Sequence, residues 1–420
     1  MFLKRFIFVL LAAGFCLWGS FSGNPALAAV PAAGCSASPA RPEQAVIKAI
    51  NRFSAALLEL SAENNEGNLM VSPASVHLAL AMTANGAEGE TKAAMLEVLA
   101  GRGLPIDRLN KASRDWAALL SRTGEKTTLA IANSIWFDKG YSPSRSFLQR
   151  NRDFFGADAR SLDFRDKSAP GVINGWVKKA TRSTIEKIIE SIRRDEVMFL
   201  VNAVYFKSDW QVPFEKNETR REVFHAPGKD VEVEFMHRTG RMTLMSGNGA
   251  AGVALPYDDG QFGFFALLPE GPASPREWLA KQDKATLFDD IAGMMAQKIG
   301  FAVELSLPKF ESSYEDTLED ELARLGMGIA FDPGRADFSG MSEQHAKDLF
   351  IGTVRHKTFV RVDEKGTEAA AVTSVGMRLT SMPIVDRKLV FDRPFVYGIM
   401  DMKAGLPLFV GIMENPAAKP

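Results

Sequence analysis

The stretch DEKGTEAAAVTSVGMRLTSMP, residues 363–383, is the most informative part of the chain. Its segment Thr367 to Ser374 consists of small, mildly polar residues and has no aromatic side chain to anchor it in a core. That composition is typical of an exposed loop. However, the segment lacks proline and is not rich in Gly and Ser, so it differs from a flexible linker.

Alternate residues of this stretch differ in character. In an extended chain one face would be small and uncharged throughout. That face consists of Thr367, Ala369, Ala371, Thr373, Val375 and Met377. The opposite face carries the charges of Glu368 and Arg378. As a strand, residues 367–377 would span about 36 Å at ~3.3 Å per residue. The pattern therefore suits either a loop or a strand, which makes the segment a candidate conformational switch.

The overall composition is that of a globular protein. The chain has 420 residues, of which 46% are hydrophobic and 24% charged. These values exclude wholesale disorder, a collagen-like structure and a coiled-coil rod. A formal net charge of −1 gives no bulk electrostatic reason to bind nucleic acid. Two cysteines are too few for a disulfide scaffold.

The N-terminus is typical of a secretory signal peptide. Lys4 and Arg5 precede the apolar run Phe6–Trp18, and Ala28 ends an A-x-A site. A membrane anchor is the alternative, but the run is shorter than the ~20 residues that a spanning helix needs. We expect cleavage near Ala28 and a secreted or periplasmic protein of bacterial type. Lipid attachment at Cys35 is a further alternative.

The remaining chain is expected to form one domain. We assign 1–28 to the signal peptide, 29–42 to a flexible Ala/Pro-rich segment and 43–420 to a single domain, with a loop at about 364–383. Helices mostly come first and strands mostly later, which favours an α+β fold over an alternating parallel sheet.

Local patterns predict individual elements. Apolar spacings of three and four predict a helix over Glu43–Ala62, and a second helix should begin at Ser72-Pro73, a good N-cap and first position, and end near Gly86. A third helix is predicted over Ile173–Ile189. Strands are predicted at Leu129–Phe137, Phe199–Lys207, Val253–Pro256, Phe262–Leu268 and Phe301–Leu307.

Familiar catalytic signatures are mostly missing from the sequence. The five histidines do not form an H-E-x-x-H pair, and neither a G-x-S-x-G elbow nor a P-loop occurs. The G-x-G-x-x-G at Gly247, Gly249 and Gly252 leads into a predicted strand, which favours a hairpin turn over a dinucleotide site. The basic stretch Arg102–Arg122 is interrupted by acidic residues, which favours a solvated helix face. No metal or other cofactor is expected.

Several ordered motifs resemble one known family, the serpins, over about 380 residues. The motifs are the hinge Glu364 to Ala371, the N-x-x-x-S-P-x-S run Asn68 to Ser75, the strand Phe199 to Trp210 with Pro213, Phe214 and Thr219 after it, Leu255-Pro256-Tyr257, Phe331 to Gly340, and Asp392 to Phe395 through Gly411 to Pro416.

The resemblance implies a serpin fold and a suicide inhibitor of proteases. We expect about nine helices and three β-sheets, with an exposed reactive-centre loop. A protease would cut that loop and form an acyl-enzyme, and the loop would then insert into the main sheet and trap the protease. The resemblance assigns the loop hinge to Glu364, Gly366, Thr367, Glu368, Ala369, Ala370 and Ala371. It assigns the shutter and breach positions, which control opening of the sheet, to Ser72, Ser75, Asn202, His356 and Trp210.

The position of the scissile bond follows by counting along this motif. In inhibitory serpins the residue before the bond usually lies sixteen positions after the Glu that opens the hinge, which gives Thr380–Ser381. Arg378–Leu379 is the alternative and would suit a trypsin-like protease, whereas Thr380 would suit an elastase- or subtilisin-like one. A cysteine protease is another target class, and we expect a monomer.

Two other functions stay open. A serpin that no longer inhibits would act as a binding or storage protein, but such relatives usually carry charged or bulky hinge residues. A secreted hydrolase would need a nucleophile–base constellation, which the sequence does not reveal.

Overall fold

A computed structural model describes residues 4–13, 42–121, 125–297, 300–367 and 385–418. Within this part of the chain there are nine α-helices, with short 3₁₀ or π turns at Lys216–Glu218, Ala323–Met327, Gly328–Phe331 and Ser339–Met341. The helices are α1 Gln44–Asn64, α2 Pro73–Ala84, α3 Gly89–Leu99, α4 Ile106–Leu120, α5 Arg145–Phe155, α6 Ala169–Ala180, α7 Pro275–Ala280, α8 Leu287–Met295 and α9 Glu319–Leu322.

The same part of the chain contains sixteen strands. They are β1 Lys4–Ala13, β2 Leu69–Val71, β3 Thr127–Asp138, β4 Asp158–Leu162, β5 Glu196–Asp209, β6 Arg220–Ala226, β7 Lys229–Gly247, β8 Ala250–Pro256, β9 Phe262–Pro269, β10 Gly300–Pro308, β11 Phe310–Thr317, β12 Leu349–Val362, β13 Gly366–Thr367, β14 Arg387–Val390, β15 Phe395–Asp401 and β16 Leu406–Met413.

The strands form two sheets. The first has seven strands and runs β4-β3-β5, then β1 and β13, which lie one beyond the other between β5 and β12, then β12-β11. The second has nine strands in the order β14-β10-β7-β8-β9-β15-β16-β2, with β6 on β7. Three sheets were expected, but the described strands form two. The 19-residue strand β7 pairs with β6 over Lys229–Phe235, with β10 over Phe235–Thr243 and with β8 over Thr243–Gly247, so these strands belong to one sheet.

Most sequence-predicted elements are confirmed. α1 buries its predicted apolar stripe, and α2 starts where expected, since Ser72 Oγ accepts a hydrogen bond from Ser75 N and Pro73 is the first helical residue. α2 is buried on every side, as its apolar composition predicts, and it ends at Ala84. The five predicted strands appear as β3, β5, β8, β9 and β10, each longer than predicted.

The prediction of one helix over Ile173–Ile189 is wrong. α6 ends at Ala180, and the chain then turns through Arg182 and Ser183, both with positive φ. Ile185 and Ile189 are nevertheless buried in the same cluster as α6. The apolar spacing typical of a helix continues beyond Ala180 because the irregular backbone there buries its isoleucines in the cluster that α6 also contacts.

Two sequence motifs for which the sequence favoured a structural interpretation over a binding site do have structural roles. The glycine motif at 247–252 forms the β7–β8 hairpin, where Asn248 and Gly249 have positive φ. On α4 the basic residues Arg108, Lys111 and Arg114 are exposed and paired with carboxylates, as predicted for a solvated face. Within the described ranges, no helix has both the length and the apolar character needed to cross a bilayer.

Candidate functional site

The centre of the first sheet is a slot between β5 and β12. Its lower part is filled by β1, which runs parallel to both neighbours, with Ala13 opposite Tyr205 and Phe359. Its upper end is filled by β13, which runs antiparallel to both, with Thr367 opposite Ser208 and Val362. The slot therefore accepts strands of either direction.

A buried polar network lies behind the slot and contains the four predicted shutter residues. Ser72 N donates to His356 Nε2 at 3.0 Å, and Ser72 Oγ donates to Leu408 O at 2.8 Å. Ser75 Oγ donates to Asn202 Oδ1 at 2.6 Å. Because His356 Nε2 accepts this bond, its neutral ring carries the proton on Nδ1. The network connects α2 to both strands that border the slot.

Two further buried polar residues were missed by sequence reasoning: Asn133, which extends this network, and Thr358 on β12. Asn202 Nδ2 donates to Asn133 Oδ1 at 2.6 Å, and Asn133 Nδ2 donates to Phe155 O at 2.8 Å. Thr358 Oγ1 on β12 donates to Met70 O at 2.7 Å. A polar residue inside an apolar strand run, such as Asn133, is a usable sequence signal, because a buried amide needs hydrogen-bond partners.

Trp210, which the resemblance assigned to the breach, lies at the upper end of the slot. The residue is 2% exposed, and its ring stacks on Tyr257 with centroids 4.7 Å apart. Trp210 Nε1 donates to Asp363 O at 2.9 Å, and Trp210 N donates to Lys365 O at 2.6 Å. The indole thus holds the backbone of the hinge against the end of β5.

The hinge carboxylate Glu364 lies in a charged cluster. Thr219 Oγ1 donates to Glu364 Oε1 at 2.9 Å, and Lys309 Nζ lies 3.1 Å from the same oxygen and 3.2 Å from Glu234. Burial disfavours ionisation of Glu364, but hydrogen bonds from the backbone, Thr219 and Lys309 outweigh it and hold the pKa of Glu364 below its usual value. Glu364 is therefore ionised at neutral pH and fixes the start of the loop. Lys309 was another residue that sequence reasoning missed.

The next two hinge residues already belong to the sheet. Thr367 is 1% exposed and shares a hydrogen bond of 2.5 Å between its Oγ1 and Tyr257 Oη. A Cβ on Gly366 would collide with Ser208 O, so only glycine fits this close approach of the two backbones.

The other predicted loop residues lie outside the described residues. They are Glu368, Ala369, Ala370, Ala371, Arg378, Leu379, Thr380 and Ser381. The structure thus brings Ser72, Ser75, Asn202 and His356 into one network and places Trp210 with Glu364, Gly366 and Thr367 in a second cluster. Within the described ranges no group of three or more His, Cys, Asp or Glu is placed to hold a metal ion.

Comparison with known proteins gives one consistent family. The profile of the family described as "Serpin (serine protease inhibitor)" matches residues 48–416. An uncharacterised serpin-like protein of Thermococcus kodakarensis is 34% identical over 384 residues, which cover 89% of this chain and 86% of that protein. Leukocyte elastase inhibitor of Homo sapiens is 32% identical over 368 residues, which cover 86% of this chain and 96% of that protein.

Solved structures agree with the sequence matches. The thermophilic serpin tengpin in its native state superposes with a TM-score of 0.81 at 36% identity, covering 90% of this chain and 96% of that one. The same serpin in its latent state gives a TM-score of 0.77 at 35% identity, covering 89% of this chain and 98% of that one.

Proposed function

The chain belongs to the serpin family, and from that premise we propose that it is a suicide-substrate inhibitor of serine proteases. The protease serine attacks the scissile carbonyl of the loop, an acyl-enzyme forms, and the new amino terminus leaves with the C-terminal peptide. The cut loop then enters the slot as a strand and carries the acylated protease with it. Inhibition results if insertion is faster than hydrolysis of the acyl-enzyme.

One observation carries this proposal: the hinge already enters the slot in the direction that insertion requires. Thr367 pairs antiparallel with Ser208. If that register continued, Met377 would come to lie opposite Met198. The small loop face would then point to the same side of the sheet as Met198, Leu200 and Phe206, which belong to the main core. The small alternate residues would therefore enter a buried face.

Loop insertion supplies a large driving force. Residues 368–377 would gain ladder hydrogen bonds to both β5 and β12. At about 1 kcal/mol net per bond, ten added residues would stabilise the inserted form by on the order of 10 kcal/mol. The uncut molecule would accordingly be metastable and protected by a kinetic barrier.

Denaturing gels test the proposal directly. The exported protein is mixed with trypsin, elastase, subtilisin and papain, the last as a cysteine protease. A covalent complex that survives denaturation is expected with at least one serine protease. Cleavage without a complex would indicate a non-inhibitory binding serpin, and turnover of an unrelated substrate would indicate a hydrolase.

A matched pair of hinge variants tests the insertion step. Thr367→Arg places a charge at a buried position beside Tyr257, whereas Glu368→Arg changes the neighbouring residue on the opposite face. We expect Thr367→Arg to turn the inhibitor into a substrate, with at least tenfold more molecules cleaved per protease trapped. Glu368→Arg should keep most of the complex formation. Equal effects of the two variants would contradict the alternation of faces.

The scissile bond and the protease class are tested together. Mass spectrometry of the released C-terminal peptide should show a first residue of Ser381, and a peptide beginning at Leu379 would assign the bond to Arg378 instead. The relative named leukocyte elastase inhibitor supports the elastase arm of the assay, because a small residue such as Thr380 suits that class of pocket.

We also propose export through a signal peptide cleaved near Ala28, leaving the segment 29–42 ahead of the domain 43–420. The support is the charge, apolar run and A-x-A site of the first 28 residues. N-terminal sequencing of the protein recovered outside the cytoplasm of a bacterial host should begin at Ala29. Recovery of the uncleaved chain in the membrane would favour an anchor.

A further inference from the structure

The N-terminal strand β1 occupies the space that an inserting loop would need. Ala13 pairs with Tyr205 on β5, and Thr367 pairs with Ser208, so only two β5 residues separate the two inserted segments. Continuing the register of Thr367 would bring Ala370 opposite Tyr205. The loop therefore cannot advance beyond residue 369 while β1 stays in place.

β1 fits the slot on both of its faces. Phe6 is fully buried in the main core and contacts Phe338 edge to face, with ring centroids 4.9 Å apart. Ile7 and Val9 face the other side and are buried in the cluster formed with α6. A strand covered on both faces should be apolar almost continuously, which is the composition of a signal-peptide core. The same residues thus satisfy both requirements.

Arg5 anchors the lower end of β1. Its Nη2 donates to Gly352 O at 2.9 Å, its Nη1 lies 3.6 Å from Asp195 Oδ2, and its backbone N donates to Asp195 O at 2.6 Å. The guanidinium also lies over the ring of Phe350, 5.6 Å from the centroid. A Cβ on Gly352 would lie 2.6 Å from Arg5 Nε, so β12 has a glycine where the arginine crosses it.

β1 fills the α6 side of the slot with larger side chains than the loop would. Ile7 lies opposite Phe199 and Val9 opposite Val201. In the continued loop register, Gly376 and Ser374 would take these two places. Because stabilisation by apolar burial scales with buried area, Ile7 and Val9 of β1 stabilise this part of the slot more than Gly376 and Ser374 of the loop would.

We propose that residues 4–13 bind in the slot as an intramolecular strand. The chain that retains its signal peptide is then an inactive precursor, and removal of the signal peptide activates the inhibitor, a step called arming below. The slot takes an extended apolar peptide with an arginine at its lower end, in the direction opposite to the loop. The arming step rests on the proposed inhibitory function, whereas occupancy of the slot does not.

Peptide uptake measures occupancy without any protease. A fluorescein-labelled peptide with the sequence of residues 367–378 is incubated with the uncleaved chain and with two variants. Val9→Asp should expel β1, and Val172→Asp makes the same change at a position on α6 that is 43% exposed. We expect Val9→Asp to take up the peptide at least tenfold faster than the wild type and Val172→Asp. Equal uptake by the wild type and Val9→Asp would overturn the proposal.

A cross-link tests the register even if Val9→Asp fails to fold. In the uncleaved chain carrying Cys16→Ser and Cys35→Ser, the pair Val9→Cys with Val201→Cys joins directly opposed residues. The control pair Val9→Cys with Leu200→Cys is one residue out of register, and its side chains face opposite sides of the sheet. A disulfide in the first pair and not in the second is expected. Its absence, or equal oxidation of both pairs, would overturn the proposal.

A protease assay separates this proposal from the inhibitory function. If slot occupancy and the inhibitory function both hold, the protease cuts the loop of the wild type that retains its signal peptide without forming a complex. Val9→Asp, which also retains its signal peptide, forms the covalent complex. If peptide uptake and cross-linking behave as expected but Val9→Asp forms no complex, slot occupancy stands and the inhibitory function fails. Equal complex formation by the uncleaved wild type and Val9→Asp would refute arming.

Discussion

The buried histidine of α2 should make the fold sensitive to mild acid. His77 is fully buried, and its Nε2 lies 2.8 Å from Leu99 O, so the neutral ring carries its proton on Nε2. Its Nδ1 has no hydrogen-bond partner among the described residues. Burial lowers the pKa of His77 to about 4, although the bond to Leu99 acts in the opposite direction.

The direction of the pH effect on the free energy of unfolding depends on whether the folded or the unfolded chain binds the proton. Between pH 6.5 and about 4, the unfolded chain binds a proton at His77 that the folded protein does not. The contribution to the free energy of unfolding is therefore present above pH 6.5 and is lost as the pH falls towards 4. Linkage gives a loss of about 2 kcal/mol between pH 7 and pH 5, and about 3 kcal/mol at lower pH.

Urea unfolding at pH 7, 6 and 5 measures this effect in wild type and His77→Gln. Glutamine places an amide donor near the position of Nε2 and does not titrate, so the variant should lose about 2 kcal/mol less than the wild type between pH 7 and 5. His225→Gln is the matched control, because that histidine is exposed and its hydrogen bond to Asp230 raises its pKa. Parallel pH profiles for wild type and His77→Gln would refute the reasoning.

Two other substitutions probe the site. Ser75→Ala removes the donor to buried Asn202 Oδ1, which should cost about 1–3 kcal/mol and lower the barrier to sheet opening, measured as a lower melting temperature and faster spontaneous loss of inhibition. Gly366→Ala should push the hinge away from Ser208 and raise the number of molecules cleaved per protease trapped, measured by titration on gels.

Matched controls accompany these two variants. Ser54→Ala removes a buried hydroxyl whose hydrogen bond, in the described part of the chain, goes to Ile50 O of its own helix, so it should leave the rate of spontaneous inactivation unchanged. Gly175→Ala adds a methyl group to α6 at a point where, among the described residues, no atom beyond its chain neighbours and the backbone of its own helix lies within 4 Å, so inhibition should not change. If each control matched its partner variant, the hydrogen bond to Asn202 and the close approach at Gly366 would not be the cause.

The sequence predicted those elements whose signals are local. The spacing of apolar residues defined α1, and the Ser72-Pro73 pair defined the start of α2. In both helices, residues within a few positions of one another carry the information. The loop prediction rests on alternation in a stretch that lies mostly outside the described residues, and the shutter prediction rests on a resemblance spread along most of the chain.

The rest depends on contacts between distant segments. The apolar run after Arg5 suits both a signal peptide and a strand covered on both faces, and its pairing with β5 and β12 could not be predicted from the local pattern. The end of α6 could not be located because the chain beyond Ala180 continues to bury isoleucines. The roles of Asn133 and Lys309 depend on partners 69 and 55 residues away, Asn202 and Glu364 respectively.

Thermal unfolding of cut and uncut protein tests the account most directly. Protein whose N-terminus has been confirmed to lie beyond residue 13 is nicked in the 377–382 region and compared with the intact molecule. Insertion worth on the order of 10 kcal/mol predicts that the nicked form melts roughly 10 °C higher, because a chain of this length unfolds with an entropy of about 0.8 kcal/mol/K. A nicked form that melts at the same temperature as the intact one, or below it, would mean that cleavage releases no stored stability and that no trap of this kind operates.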